Sequence, residues 1–224
     1  LLPNIRYFEF TGGEPFMIQE HFALLERAVA LGYSKNITVH YNTNGTLYPE
    51  AIAHLWQKFK GVEIALSVDN VGKRFEYERY PARWNDVELN VRRFEKLKKQ
   101  SNNIDLQLCF TVNVLNVLYL DQLLDWAGTV DFDNYHWNML HGPEEMSIAC
   151  LPSDAKEKVI DWLNQQTFNT QHQQDVKNVI AMIENGISSD GVDLLQKLSI
   201  TDGYRQQHLS QTHPELARIL RYDN

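Results

Sequence analysis

Apolar positions along the first 140 residues follow two alternating periods. Residues 5–11, 37–42, 62–69, 104–114 and 132–140 repeat every second residue and read as strands. Between them the spacing turns helical. Phe22, Leu25 and Val29 share a face within 19–31, and Ile52, Leu55, Trp56 and Phe59 within 49–60. Val87, Val91, Phe94 and Leu97 form a stripe within 84–100, and 118–127 reads as a short helix. This alternation predicts right-handed βαβ units and a parallel sheet. After Leu151-Pro152 the rhythm stops. Ser153–Gln165 and 175–184 read as helices, the second stopped by Asn185-Gly186, and short helical pieces run to Leu220. The expected organisation is α/β over 1–150 and mostly helical over 151–224.

The strands carry a second pattern. Ile104, Leu106, Leu108, Phe110 and Val112 alternate with Asp105, Gln107, Cys109, Thr111 and Asn113. Val62, Ile64, Leu66 and Val68 alternate likewise with Glu63, Ala65, Ser67 and Asp69. Parallel strands covered on both faces are normally continuous apolar runs. One polar face predicts a barrel, or an open part of one, whose interior is wet or holds a polar ligand. The alternative is a mixed or antiparallel sheet with one face in water.

Composition narrows the classes. The 224 residues carry a formal charge of −8, which argues against a general grip on nucleic acid. No apolar run reaches the ~18 residues of a membrane helix. Cys109 and Cys150, 41 positions apart, build neither a disulfide framework nor a metal knuckle. Each reads as a small, buried residue. Arg92, Arg93, Lys96, Lys98 and Lys99 read as a solvated helix face. His136, His141, Glu144 and Glu145 lie where a barrel mouth would be, without metal spacing.

Three strand endings carry candidate chemistry. The first strand runs into Thr11-Gly12-Gly13-Glu14-Pro15, the second into Asn42-Thr43-Asn44-Gly45 and the third into Ser67-Val68-Asp69. Singly, each is an ordinary turn or cap. In this order they resemble the core of radical S-adenosylmethionine (radical SAM) enzymes. Phe75-Glu76-Tyr77-Glu78-Arg79, then Trp84 and Val91-Arg92-Arg93-Phe94, resembles the segment after the third strand in the group with a SPASM or twitch extension. Phe110-Thr111-Val112-Asn113 is similar to the next strand of that group. Gly142-Pro143, Leu151-Pro152 and the tail around Asp202-Gly203-Tyr204-Arg205 continue the likeness.

The resemblance implies a partial (βα)6 TIM-like barrel lacking its first βα unit. It implies S-adenosylmethionine chelating a [4Fe-4S] cluster and cleaved reductively to a 5′-deoxyadenosyl radical that takes hydrogen from a small-molecule or peptide substrate. Gly12, Gly13 and Glu14 would hold the methionine amino group, with Thr43 and Asn44 near the methionine end. Ser67 and Asp69 would contact ribose or carboxylate, Arg79 would neutralise the carboxylate and Asn113 would approach ribose or adenine. Backbone at 140–142 would pair with adenine. A cytoplasmic location and an electron donor such as flavodoxin or ferredoxin are implied in the same way. The expected Cys-x3-Cys-x2-Cys loop does not precede Thr11, so no metal ligand is assigned in this chain. An N-terminally truncated chain, beginning at Leu1 without Met and inactive alone, accounts for this. The competing expectation is a cluster-free barrel that binds a nucleotide or peptide. An ordinary βα hydrolase or aldolase would need a lumenal Lys or carboxylate pair, and the polar face offers only Glu9, Glu63, Asp69 and Asp105.

Overall fold

The computed structural model describes residues 2–222; Leu1, the expected truncated end, lies outside them. Strands β1 (Tyr7–Phe10), β2 (Thr38–Thr43), β3 (Gly61–Ser67), β4 (Ile104–Val112) and β5 (Asn134–Met139) form one sheet in sequence order. The pairs β1–β2, β2–β3 and β3–β4 are parallel, with Glu9, His40, Glu63 and Asp105 in one register row. Helices α1 (Glu20–Ala30), α2 (Gly72–Glu78), α3 (Trp84–Lys99) and α4 (Leu120–Ala127) fall between strands. Helices α5 (Ser153–Gln165), α6 (Gln173–Asn185), α7 (Val192–Arg205), α8 (Leu209–Thr212) and α9 (Pro214–Leu220) follow.

The alternation in β4 appears directly as burial. Its five apolar side chains are buried and the four polar ones between them are half-buried. At about 1.5–3 kcal/mol for each fully buried apolar side chain, a one-residue register slip would be heavily penalised. Among the described residues the sheet ends at β1 and β5, so five strands stand where a (βα)6 barrel has six.

Three expectations change. Residues 49–60 do not form an α-helix; Ala53–Lys58 is a 3₁₀ helix, with Leu55 N bonded to Ile52 O and Phe59 N to Trp56 O. The Ile52/Leu55 and Trp56/Phe59 pairs are three apart, a spacing that serves either helix type. The tail is not made only of short pieces, because α7 runs for 14 residues. Leu194 and Leu198 are buried on it while Val192, Ile200 and Tyr204 are exposed, which blurs its stripe. The basic run on α3 is largely paired: Lys98 bridges Asp133 (2.8 Å) and Asp131 (3.2 Å), and the Arg93 guanidinium lies over the Tyr48 ring.

By packing, the chain divides into two compact units. One comprises residues up to Val68, Ala82–Phe110 and Ala127–His136; the other comprises Asp69–Pro81, Thr111–Trp126 and everything from Trp137 onward. Within the second unit α2 contacts α8. The first unit is centred on Phe16, Tyr41, Trp56 and Phe94, whose rings contact one another. In the second, the Tyr77 hydroxyl donates to Asp202 (2.8 Å) and the Trp162 indole N–H donates to the Leu118 carbonyl (3.0 Å).

Candidate functional site

In the first unit, the turn after β1 requires its glycines. Gly12 and Gly13 have φ of 83° and 58°, the left-handed region that side chains disfavour. A Cβ at either position would meet nothing within 4 Å, so the turn faces open space. Glu14 then turns inward and is only 6% exposed. Its Oε1 accepts from Phe16 N (3.2 Å), capping the short Pro15–Met17 3₁₀ helix. The Thr43 hydroxyl lies 2.8 and 2.9 Å from its two oxygens, and Asn44 N donates to Oε2 (2.9 Å). Phe16, two residues on, is buried against the rings of Tyr41, Trp56 and Phe94.

Asn44 extends the arrangement. Its Oδ1 accepts from the Thr46 amide (2.9 Å) and hydroxyl (2.6 Å). Buried Asn90 on α3 donates to the Gly45 carbonyl (3.0 Å), fixing a turn in which Gly45 has φ of 73°. Among the described residues Glu14 has donors on both oxygens and no cation. A buried carboxylate held by neutral donors alone has no opposite charge beside it to offset its loss of water. Ser67, at the end of β3 beside Cys109, is half-buried, and its side chain makes no hydrogen bond among the described residues.

In the second unit, Asp69, Arg79 and Asn113 are brought into one network. Asp69 is 7% exposed. Arg79 Nε (2.7 Å) and Nη2 (2.5 Å) both reach its Oδ2, and Thr111 N donates to Oδ1 (2.8 Å). Burial pushes its carboxyl up and Arg79 opposes that push. Asn113 Nδ2 donates to the Thr111 carbonyl (3.1 Å) and to Glu78 (3.4 Å), while its Oδ1 accepts from Leu115 N (2.7 Å). Here Arg79 neutralises a carboxylate of its own chain.

Two members of this network carried no assigned role in the sequence. Asn116, 1% exposed, donates to the Asp69 and Thr111 carbonyls and accepts from Asn113 N. Glu78 accepts from Asn70 (2.7 Å) and lies 3.9 Å from buried His213. The Asn113-x-x-Asn116 spacing was the available signal for the first, since Asx side chains that fold back on a chain end commonly occur in turns.

An iron–sulfur cluster does not fit these residues. Burial pushes the Cys109 thiol up to about 11, so it is protonated near neutrality. Both cysteines are free, and no group of three or more His, Cys, Asp or Glu among the described residues could hold a metal.

No family model matches the chain, and no curated protein matches it. Solved structures do, in 17 chains. Native anSMEcpe with bound AdoMet is 18% identical, over 88% of this chain and 52% of that one, with a TM-score of 0.51. Native anSMEcpe with bound AdoMet and the Kp18Cys peptide is 19% identical, over 88% and 53%, with a TM-score of 0.50. The likeness is one of fold. This chain spans about half the length of the anSMEcpe structures it matches. No helix among the described residues is long and apolar enough to cross a membrane.

Proposed function

We propose that this chain is the S-adenosylmethionine-binding part of a radical SAM enzyme. The observation that carries the reading is Glu14: a buried carboxylate with no cation among the described residues, beside two left-handed glycines that face open space. Such a charge attracts an ammonium group strongly, because surrounding water does little to screen it. The order of the strand-end motifs supports the reading, as does the fold shared with a protein solved with bound AdoMet.

In this reading Gly12, Gly13 and Glu14 take the methionine amino group. Thr43 and the Asn44 amide fix the two Glu14 oxygens, so the carboxylate is already oriented before a ligand arrives. Ser67 offers a free hydroxyl to ribose. By the resemblance, Asp69, Arg79 and Asn113 serve the ligand carboxylate, ribose and adenine. Arg79 keeps Nη1 for that purpose beyond the nitrogens on Asp69. When bound, the cofactor supplies a 5′-deoxyadenosyl group for hydrogen abstraction in the complete enzyme. No catalytic step is assigned to this chain, since its residues do not fit the cluster. The complete enzyme would act in the cytoplasm on a small-molecule or peptide substrate, with flavodoxin or ferredoxin as electron donor.

The second reading is a cluster-free barrel that acts as a nucleotide- or peptide-binding or scaffold protein, and the polar strand ends that carry the first reading serve it equally. Calorimetric titration with S-adenosylmethionine and with 5′-methylthioadenosine, which lacks the amino-acid end, tests what both readings share. The former should bind at least tenfold more tightly. Equal binding would remove the role of Glu14, and no binding of either would remove the function. Iron uptake by a longer chain carrying Cys-x3-Cys-x2-Cys upstream of Leu1 separates the two readings.

A further inference from the structure

We propose that Glu78 is a movable acceptor, released by Asn113 and taken over by His213 when an adenosyl ligand engages the Asn113 amide. The ligand is the one named by the S-adenosylmethionine reading, on which this inference rests. All the residues involved lie in the second unit.

Both amide hydrogens of Asn113 are engaged within the chain. One goes to the Thr111 carbonyl (3.1 Å) and the other to Glu78 Oε2 (3.4 Å), while Oδ1 accepts from Leu115 N (2.7 Å). A ligand that takes a hydrogen from this amide must displace one of the two acceptors. The Thr111 carbonyl belongs to the backbone of β4 and also holds Asn116 (2.8 Å). Glu78 is a side chain, and its bond to Asn113 is at the long end of the hydrogen-bond range. Glu78 is therefore the acceptor that gives way.

A receiver stands on the other side of Glu78. His213 is 0% exposed, and its Nε2 has no hydrogen-bond partner among the described residues. Buried polar atoms normally have one. This nitrogen lies 3.9 Å from Glu78 Oε1. The Thr212 hydroxyl is 2.8 Å from Nδ1, and Tyr77 and Tyr119 meet the ring edge-on, so the imidazole keeps its aim. A shift of about 1 Å brings Glu78 into a normal hydrogen bond with it. The Asn70 amide on Oε1 (2.7 Å) tethers the carboxylate over that distance.

The charges around His213 set the sign of a pH dependence. Burial holds its imidazole below the usual range, Glu78 and Asp202 pull it up, and Arg74 pushes it down. Asp202 on α7 is committed to the Tyr77 hydroxyl (2.8 Å) and Leu209 N (2.9 Å), and Glu215 on α9 to the Tyr119 hydroxyl (2.8 Å). Arg74 on α2 is held by Asn70 Oδ1 (3.3 Å) and lies over the Tyr119 ring. Glu78 moving onto His213 favours the imidazolium. Ligand binding then takes up a proton from solvent and, by linkage, tightens as pH falls.

The test uses 5′-methylthioadenosine, which carries the adenosyl end and leaves Glu14 out. In the ligand-free chain, the side-chain amide NMR signals of Asn113, assigned by their loss in Asn113→Asp, should move with the titration of the His213 imidazole. The ligand should bind at least threefold more tightly at pH 5.5 than at pH 7.5 and should raise the His213 midpoint. His213→Asn and Glu78→Gln should each abolish this pH dependence, and His54→Asn, at an exposed position in the first unit, should keep it. Urea midpoints at both pH values confirm that the variants are folded. The proposal is overturned if Asn113 does not follow His213, if wild-type binding is independent of pH, or if both His213→Asn and Glu78→Gln retain the dependence. No binding at either pH, with Asn113 still following His213, removes the S-adenosylmethionine reading and leaves the Glu78 exchange standing.

Discussion

The strand ends at Glu14 and at Asp69 handle the same problem differently. Both residues are carboxylates under 10% exposed, just past a parallel strand. Asp69 is neutralised by Arg79 and accepts one backbone amide. Glu14 is held by two amides and a hydroxyl, with no cation among the described residues. The first arrangement closes a structure; the second leaves a charge for something else to meet. What sequence resemblance groups as one cofactor site thus contains one clamp and one unmatched anion.

The comparison can be broken in order of expected effect. Asp69→Ala leaves Arg79 without its partner and Thr111 N without its acceptor. Breaking such a pair should cost about 3 kcal/mol, read from urea unfolding. Glu14→Gln retains an acceptor but places amide hydrogens among existing donors, and should cost about 1–2 kcal/mol. If it costs as much as Asp69→Ala, Glu14 is a structural clamp too. Gly13→Ala meets no atom and pays only for its left-handed φ, about 1 kcal/mol in thermal unfolding.

The smallest effect is a slope with pH in the Asp69 region. His213 is buried between Tyr77 and Tyr119, and burial holds its imidazole below the usual range, against the pull of Glu78. The unfolded chain then binds the proton more readily. The stability His213 contributes is present above the ordinary histidine value of about 6.5 and is lost as pH falls below it. His213→Asn should flatten the urea-midpoint profile between pH 7 and 5. An unchanged slope would assign the effect to His21 or His172, whose imidazoles burial also depresses.

How far the sequence was legible follows from the range of the interactions. The faces of β4 were readable residue by residue because alternation is local and each apolar side chain is buried. Ser153–Gln165 was readable to its ends for the same reason. The pairing of Asp69 with Arg79, ten positions away, was not. A lone Asp and a lone Arg carry no mark of each other, and the motif named them only as ligand contacts. Asn116 and Glu78 were hidden likewise, since their partners come from separate segments. Asn185-Gly186 was legible as the end of α6, which it is, but no local pattern reports the Ala149 carbonyl that crowds Gly186.

The most direct test of the unmatched Glu14 charge is a paired titration of the wild-type chain and Glu14→Gln, with S-adenosylmethionine and with 5′-methylthioadenosine. The account predicts that Glu14→Gln weakens S-adenosylmethionine at least tenfold and leaves 5′-methylthioadenosine within twofold. Equal losses for both ligands, or no loss for either, would contradict it.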